Sequence, residues 1–366
     1  MTERADPRVT DYARLLVERC LDVQPDWQVV VAGNVQARPL IEEVQRAVAR
    51  RGAWVINQIY FESQGGAWMR EAPEELLRRP SPISLRIQED GNAFLSIIAP
   101  ENLREHADVP AERLAIAQQA TAALRSRTLG MEMPWVVCEF PTNSLAQEAG
   151  MTLAEFEDFL YGACLLDWDA EGEKMRRIAD RFDGATEVRI VGEETDLRLT
   201  IDGRTCEVDD GHINMPGGEV FVSPLEDATE GIVSYTEFPA SYFGHEVVGA
   251  WLRFAGGKVI DAGATQGENY LIEILDTDPG ARILGELGIG CNPGITRYLK
   301  NVLFDEKIHG TVHLALGRSY TSTGGVNESV IHWDMVKDLR RGGQIFLDGE
   351  LVQEDGAWTP SFVQAA

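Results

Sequence analysis

Between Pro7 and Cys20 apolar residues fall at helical spacing (Val9, Tyr12, Ala13, Leu15, Leu16 and Cys20), and the pattern predicts a first helix. The V-V-V-A-G run within Trp27 to Val35 reads as a strand, Leu40 to Gly52 as a helix and Ala53 to Phe61 as a second strand. A strand, helix and strand in that order form a β-α-β unit, which sets the strands parallel. The alternation continues with a strand near Ala93 to Ile98, a helix near Ala111 to Arg125 and a strand from Trp135 to Phe140. Helices follow at Thr152 to Leu166 and Glu171 to Phe182.

From about Thr186 the period changes to two. The runs E-V-R-I-V-G, D-L-R-L-T-I-D-G-R, G-E-V-F-V-S-P, E-G-I-V-S-Y and A-W-L-R-F-A-G-G-K-V-I-D-A alternate, and Gly-Gly and Pro punctuate them as in hairpins. The expected fold is therefore α/β with two domains. Residues 1–184 form an N-terminal parallel-sheet α/β domain, and residues 185–366 a strand-rich α+β C-terminal metal-binding domain. The first strand-to-helix turn reads A-G-N-V-Q-A and lacks G-x-G-x-x-G, so a nucleotide is not invoked.

Length agrees with two domains, since 366 residues exceed the ~100–200 typical of one core. The formal charge of −26, from 33 Lys and Arg against 59 Asp and Glu, is spread along the chain. A field of that sign repels phosphate backbones and anionic lipid, so neither nucleic acid nor a membrane is an expected partner. Solubility, as in a salty cytoplasm, is its plainer meaning; attraction of a cationic ligand such as a free α-ammonium group is the sharper one. Five widely spaced cysteines without C-x-x-C make no disulfide framework. No apolar run approaches the ~18 residues of a membrane span, and Met1-Thr-Glu-Arg-Ala-Asp-Pro has no apolar signal segment. The expected location is the cytoplasm.

The candidate chemistry gathers between Asp305 and Asp334, which holds His313, Tyr320 and the pair His332-x-Asp334. On a strand, residues two apart share a face, so His332 and Asp334 can serve one metal or one hydrogen-bond network. Two distant carboxylates join them. Glu219 follows Gly217 and Gly218, which permit a sharp loop before a strand, although an ordinary surface hairpin residue also fits there. Glu286 sits in L-G-E-L-G-I-G, where a carboxylate is costly unless exposed, paired or bound to a metal. A calcium loop starting at Asp276 fails on register, because Gly280 takes position five and Glu286 falls one residue early. His309 and His313 lack the glutamate of H-E-x-x-H, since Gly310 follows His309; V-H-L-A-L-G reads as a strand with His309 on the turn before it. Glu219, Glu286, His313, His332 and Asp334 together exceed the three protein ligands of one catalytic zinc and suit two metals.

These motifs resemble the thermophilic metalloaminopeptidases typified by aminopeptidases T and S, metallopeptidase family twenty-nine. The matching stretches are P-T-N-S-L-A-Q-E-A-G at Pro141 to Gly150, T-D-L-R-L-T-I-D-G-R at Thr195 to Arg204 and N-M-P-G-G-E-V-F-V-S-P at Asn214 to Pro224. L-G-E-L-G-I-G, L-F-D-E at Leu303 to Glu306, H-L-A-L-G-R-S-Y at His313 to Tyr320 and G-G-V-N-E-S-V-I-H-W-D follow in the family's order. The resemblance implies that Glu219, Glu286, His313, His332 and Asp334 are metal ligands and that Tyr320 belongs to the site. It also implies two divalent ions per chain (zinc, cobalt, manganese or magnesium), a peptide or small amide substrate, and a homodimer with sites facing an enclosed cavity. Two spacings depart from the family: Glu306 to His313 is longer and Tyr320 to His332 shorter.

The expected reaction is release of N-terminal residues from peptides by a metal-activated water. Tyr320 would donate to the oxyanion, and Glu306 is the candidate general base. A rival reading takes His313, His332 and Asp334 alone, a two-histidine, one-carboxylate set that suits Fe(II) and dioxygen, as in ring-cleaving dihydroxypyridine dioxygenases of the same fold. Retention of both Glu219 and Glu286 favours hydrolysis, because a single iron has no need of them.

Overall fold

The computed structural model describes residues 6–61, 64–121, 124 and 132–364. The chain divides into two compact units, Met1–Leu165 with Gly211–Pro216, and Leu166–Asp210 with Gly217–Ala366.

The first unit is built on a parallel sheet in the order Trp54–Tyr60, Gln28–Asn34, Ala93–Ile98, Trp135–Glu139 and Asn214–Met215. Val29, Val30 and Val31 are buried in succession, as expected of a strand covered on both faces. The crossover helix Arg38–Arg50 turns Leu40, Ile41, Val44, Ala47 and Val48 inward at intervals of three and four. Helix Leu153–Cys164 starts at a capping box, in which Thr152 and Glu155 each accept from the other's backbone N–H. The expected helix beyond Ala111 runs to Thr121; residues 122–123 and 125 lie outside the described ones. Three short helices, Gln64–Glu71, Glu74–Leu77 and Pro82–Asp90, fill the segment before the third strand, where periodicity predicted nothing.

The second unit holds two large antiparallel sheets. One has eight strands, Lys258–Gly263, Ala250–Ala255, Glu230–Tyr235, Thr195–Thr200, Glu187–Gly192, Gln344–Leu347, Glu350–Glu354 and Ala357–Trp358. The other has five, His332–Asp338, Thr311–Gly317, Leu284–Gly290, Glu219–Val222 and Glu207–Asp209. Its three inner strands, Thr311–Gly317, Leu284–Gly290 and Glu219–Val222, are buried at every position.

The change of period suggested a boundary near Gly184; the compact units part between Leu165 and Leu166. The reason is helix Trp168–Asp183. Asp167 caps it by accepting from the Ala170 N–H, and the helix buries Trp168, Met175, Ile178, Ala179 and Phe182. The helix packs on strands Glu207–Asp209 and Glu219–Val222, so it folds with the sheet that follows it.

Candidate metal centre

Strand register brings the five candidate ligands to one face of the five-stranded sheet. Glu219 lies opposite Gly290, and Glu286 opposite Ala315, which is itself opposite Asp334. His313 lies opposite Gly288, and His332 opposite Gly317. Cross-strand partners share a face and so do alternate residues along a strand, which puts all five side chains together. The space between them comes from small residues. A β-carbon on Gly288 would stand 1.9 Å from His313 Cε1 and 2.0 Å from its Nε2, so the imidazole lies directly over that glycine.

The distances define two clusters around one carboxylate. His313 Nε2 is 3.3 Å from Glu286 Oε1 and 3.5 Å from Glu219 Oε2. His332 Nε2 is 3.1 Å from Glu286 Oε2 and 3.6 Å from Asp334 Oδ1. Glu219, Glu286 and His313 thus form one group able to hold a metal ion, and Glu286, His332 and Asp334 a second. Glu286 belongs to both, with a separate oxygen turned to each histidine.

Both imidazoles are oriented from behind. His313 Nδ1–H donates to the Glu306 carbonyl at 2.9 Å, and His332 Nδ1–H donates to the Arg318 carbonyl at 2.9 Å. A carbonyl only accepts, so each ring has a proton on Nδ1 and turns Nε2 toward the carboxylates, the orientation of metal-ligating histidines.

The electrostatics describe a site short of positive charge. His313 is 1% exposed, Glu286 4% and Glu219 6%. Burial pushes Glu219 up to about 8, against the pull of Lys307 and His313, and it pushes Asp334 up as well, against His332. Burial also opposes ionisation of Glu286, but hydrogen bonds from the two histidines outweigh it and bring that carboxyl down to about 2. Burial works against the imidazolium forms too; the carboxylates outweigh it and raise His313 to about 10 and His332 to about 9. Glu219 Oε2 is buried and receives no hydrogen bond. Three carboxylates, one of them with a buried oxygen unanswered, and two imidazoles presenting Nε2 fit divalent cations with nitrogen and oxygen preference.

The remaining candidates lie beside the ligands. The Tyr320 ring meets the His332 ring edge-on at 5.3 Å and packs on Phe221 at 5.2 Å. Burial and the neighbouring carboxylates hold its phenol well above the usual range, so it stays a hydrogen-bond donor. Glu306 joins neither ligand group, and its carboxylate pairs with Lys307. His309 lies on the turn before the His313 strand.

Sequence reasoning passed over Lys307 and Asp209. Lys307 is fully buried, with Nζ 3.2 Å from Glu219 Oε1, and Asp209 is the cross-strand partner of Glu219. The D-E-K order at residues 305–307 was the available signal, an isolated cation next to a candidate carboxylate.

A mixed α/β chain with two histidine and carboxylate groups sharing one glutamate has the donor set of a metal-dependent protein. The chain belongs to the thermophilic metalloprotease (M29) family, whose model matches residues 5–358. Aminopeptidase 2 of Geobacillus stearothermophilus is 29% identical over 418 residues, spanning 98% of this chain and 97% of its own. Aminopeptidase T of Thermus aquaticus is 34% identical over 176 residues, 43% of this chain and 40% of that one. Among solved structures, wild-type AmpT from Thermus thermophilus superimposes with a TM-score of 0.81 at 22% identity, covering 96% of this chain and 99% of that one. The 2,5-dihydroxypyridine dioxygenase of Pseudomonas putida KT2440 shares the fold at a TM-score of 0.59 and 12% identity, covering 98% and 99%.

Proposed function

We propose that this metalloprotease-family chain is an aminopeptidase that uses two divalent ions to remove N-terminal residues from peptides. The observation that carries the reading is the shared carboxylate: Glu286 offers Oε1 to the Glu219 and His313 cluster and Oε2 to the His332 and Asp334 cluster. Glu219, Glu286 and His313 would hold one ion, and Glu286, His332 and Asp334 the other. When bound, such a pair supplies a water ionised near neutral pH and polarises the scissile carbonyl.

The chain's own residues do the rest. The carbonyls of Glu306 and Arg318 keep the imidazoles in the ligating tautomer. The phenol of Tyr320 donates to the oxygen on which charge develops. Glu306, an acidic side chain next to the ligands but outside both groups, takes the proton of the attacking water and returns it to the leaving amine. Acidic groups around the site favour the free α-ammonium of the substrate. Zinc, cobalt, manganese or magnesium as the ion, pairing of two chains and a cytoplasmic location belong to the same reading. Among the described residues no helix is long and apolar enough to cross a membrane.

The decisive experiment strips the protein with a chelator, restores each of the four metals and assays aminoacyl anilides and short peptides. Release of N-terminal residues with at least one metal is expected; none with any of them sinks the assignment. Glu286→Gln should remove activity and lower metal content in both clusters, and undiminished turnover would take Glu286 out of the site. Sedimentation velocity should give twice the 40.5 kDa chain mass.

A further inference from the structure

Lys307 is fully buried, and its partners are unusual for a structural lysine. Lys337, equally buried, shows the ordinary arrangement: its Nζ donates to one carboxylate, Glu237 at 2.7 Å, and to one carbonyl, that of Glu193 at 3.0 Å. Lys307 instead sets its Nζ between two carboxylates, Glu306 and Glu219, and the second is a metal-ligand candidate. The Lys307 contact uses Oε1 of Glu219, while Oε2 is the buried oxygen that receives no hydrogen bond and lies 3.5 Å from His313 Nε2. The two oxygens of one carboxylate thus have different neighbours, an ammonium on one and the ligand cluster on the other.

The backbone holds the ammonium in that place. The Lys307 carbonyl accepts from the Asn292 N–H at 3.0 Å, and Asn292 Nδ2 donates to the Gly217 carbonyl at 2.8 Å. The Cys291 N–H donates to the Gly218 carbonyl at 2.7 Å, so the lysine and Glu219 are tied to the same two-residue junction. Asp209, opposite Glu219 in the sheet, adds a third carboxylate to the surroundings of the ammonium.

From this arrangement, and resting on the two-metal reading above, we propose that Lys307 is a positioning residue and a resident cation of the metal centre. It occupies Glu219 Oε1 and leaves Oε2 alone for a metal ion. It also holds Glu306 in an ion pair, outside the ligand set. A buried ammonium on the same carboxylate as a divalent ion repels that ion, so Lys307 weakens binding in the Glu219 cluster while fixing its coordination number.

The test measures zinc affinity and the visible spectrum of the cobalt-loaded full chain, neither of which requires turnover. In Lys307→Met, with the fold checked by circular dichroism, one of two zinc dissociation constants should fall by about tenfold or more. The cobalt bands should weaken as Glu219 chelates through both oxygens or Glu306 enters as a ligand. Lys307→Arg, which keeps the charge, should restore the wild-type constant and spectrum. Glu306→Gln leaves the ammonium to Glu219 alone and should shift the same constant several-fold the other way; it decides the matter if the methionine variant does not fold. Unchanged zinc constants, or weaker zinc binding in a folded Lys307→Met protein, overturn the proposal. Wild-type protein that binds fewer than two zinc ions overturns the two-metal reading and this inference with it, whereas two ions with no response to either variant overturns the Lys307 role alone.

Discussion

Gly288 is the residue on which the geometry of the centre turns, although it contributes no ligand. The His313 ring occupies the position that any larger residue's β-carbon would take. Gly288→Ala must push the imidazole off the Glu219 and Glu286 cluster or displace the strand. Overpacking of this kind costs about 1–3 kcal/mol. Metal analysis and thermal melts should show loss of one ion per chain with lowered stability, and a variant that keeps both ions would show that His313 binds from elsewhere. The histidines carry a second expectation. In metal-stripped protein His313 is raised to about 10 and His332 to about 9, so both rings are protonated at neutral pH. An ion must displace those protons, and metal affinity therefore strengthens as pH rises from 6 toward 8. Calorimetry in buffers of differing ionisation enthalpy should record proton release on zinc binding; an affinity flat across that range would mean the rings were already neutral.

The elements that periodicity makes visible are those whose neighbours are close in sequence or whose faces differ sharply. The crossover helix Arg38–Arg50 carried that contrast, its flanking strands lie close to it in sequence, and in the His332–Asp338 strand alternation alone puts His332 and Asp334 on one face. Pro82–Asp90 did not: it buries no residue, so its sequence needs no apolar stripe. The D-E-K order marked Lys307 as a cation beside a candidate carboxylate but could not say where it lies. Its place depends on an isolated parallel bridge between Asn292 and Ile308, a pairing no local pattern encodes. The loop segment between Tyr320 and the strand that begins at His332 is held in the same nonlocal way. Asp278 accepts from Ser329 Oγ at 2.9 Å, from the Val330 N–H at 2.8 Å and from the Gly280 N–H at 2.8 Å. Burial opposes its charge, but these hydrogen bonds outweigh burial and hold the carboxyl below its usual range. A depressed carboxyl stabilises the fold above its unfolded value, and the benefit is lost as pH falls through the lower folded one. Asp278→Ala should cost about 1–3 kcal/mol and flatten the acid limb of the stability curve between roughly pH 5 and 3. A denaturant titration at pH 7 and pH 3.5 checks both; an equal deficit at the two values would assign the loss to packing alone.

At the scale of the whole molecule, charge dominates. The chain carries −26 formally, so carboxylates outnumber cations even where surface ion pairs such as Arg189 with Asp196 and Arg38 with Glu42 are formed. Surface pairs of that kind contribute little individually, whereas self-repulsion among unpaired carboxylates acts on the compact state throughout. The candidate metal centre holds three more carboxylates, buried Glu219 and Glu286 and half-buried Asp334, so ions bound there and bulk salt would relieve the same excess at different depths. The two contributions separate experimentally. Raising potassium chloride from 0.1 to 1 M shortens the screening length from about 10 to 3 Å, which covers surface spacings but not a buried cluster. Metal-stripped and zinc-loaded protein should therefore both melt higher at the greater salt concentration, by at least about 2 °C, equivalent to roughly 1 kcal/mol for a unit of this size. The gap between the two forms should persist in 1 M salt. A gap that closes would place the ions in a solvent-screened surface cluster, and melting that falls with salt would show that surface pairs, and not repulsion, dominate the electrostatics of this chain.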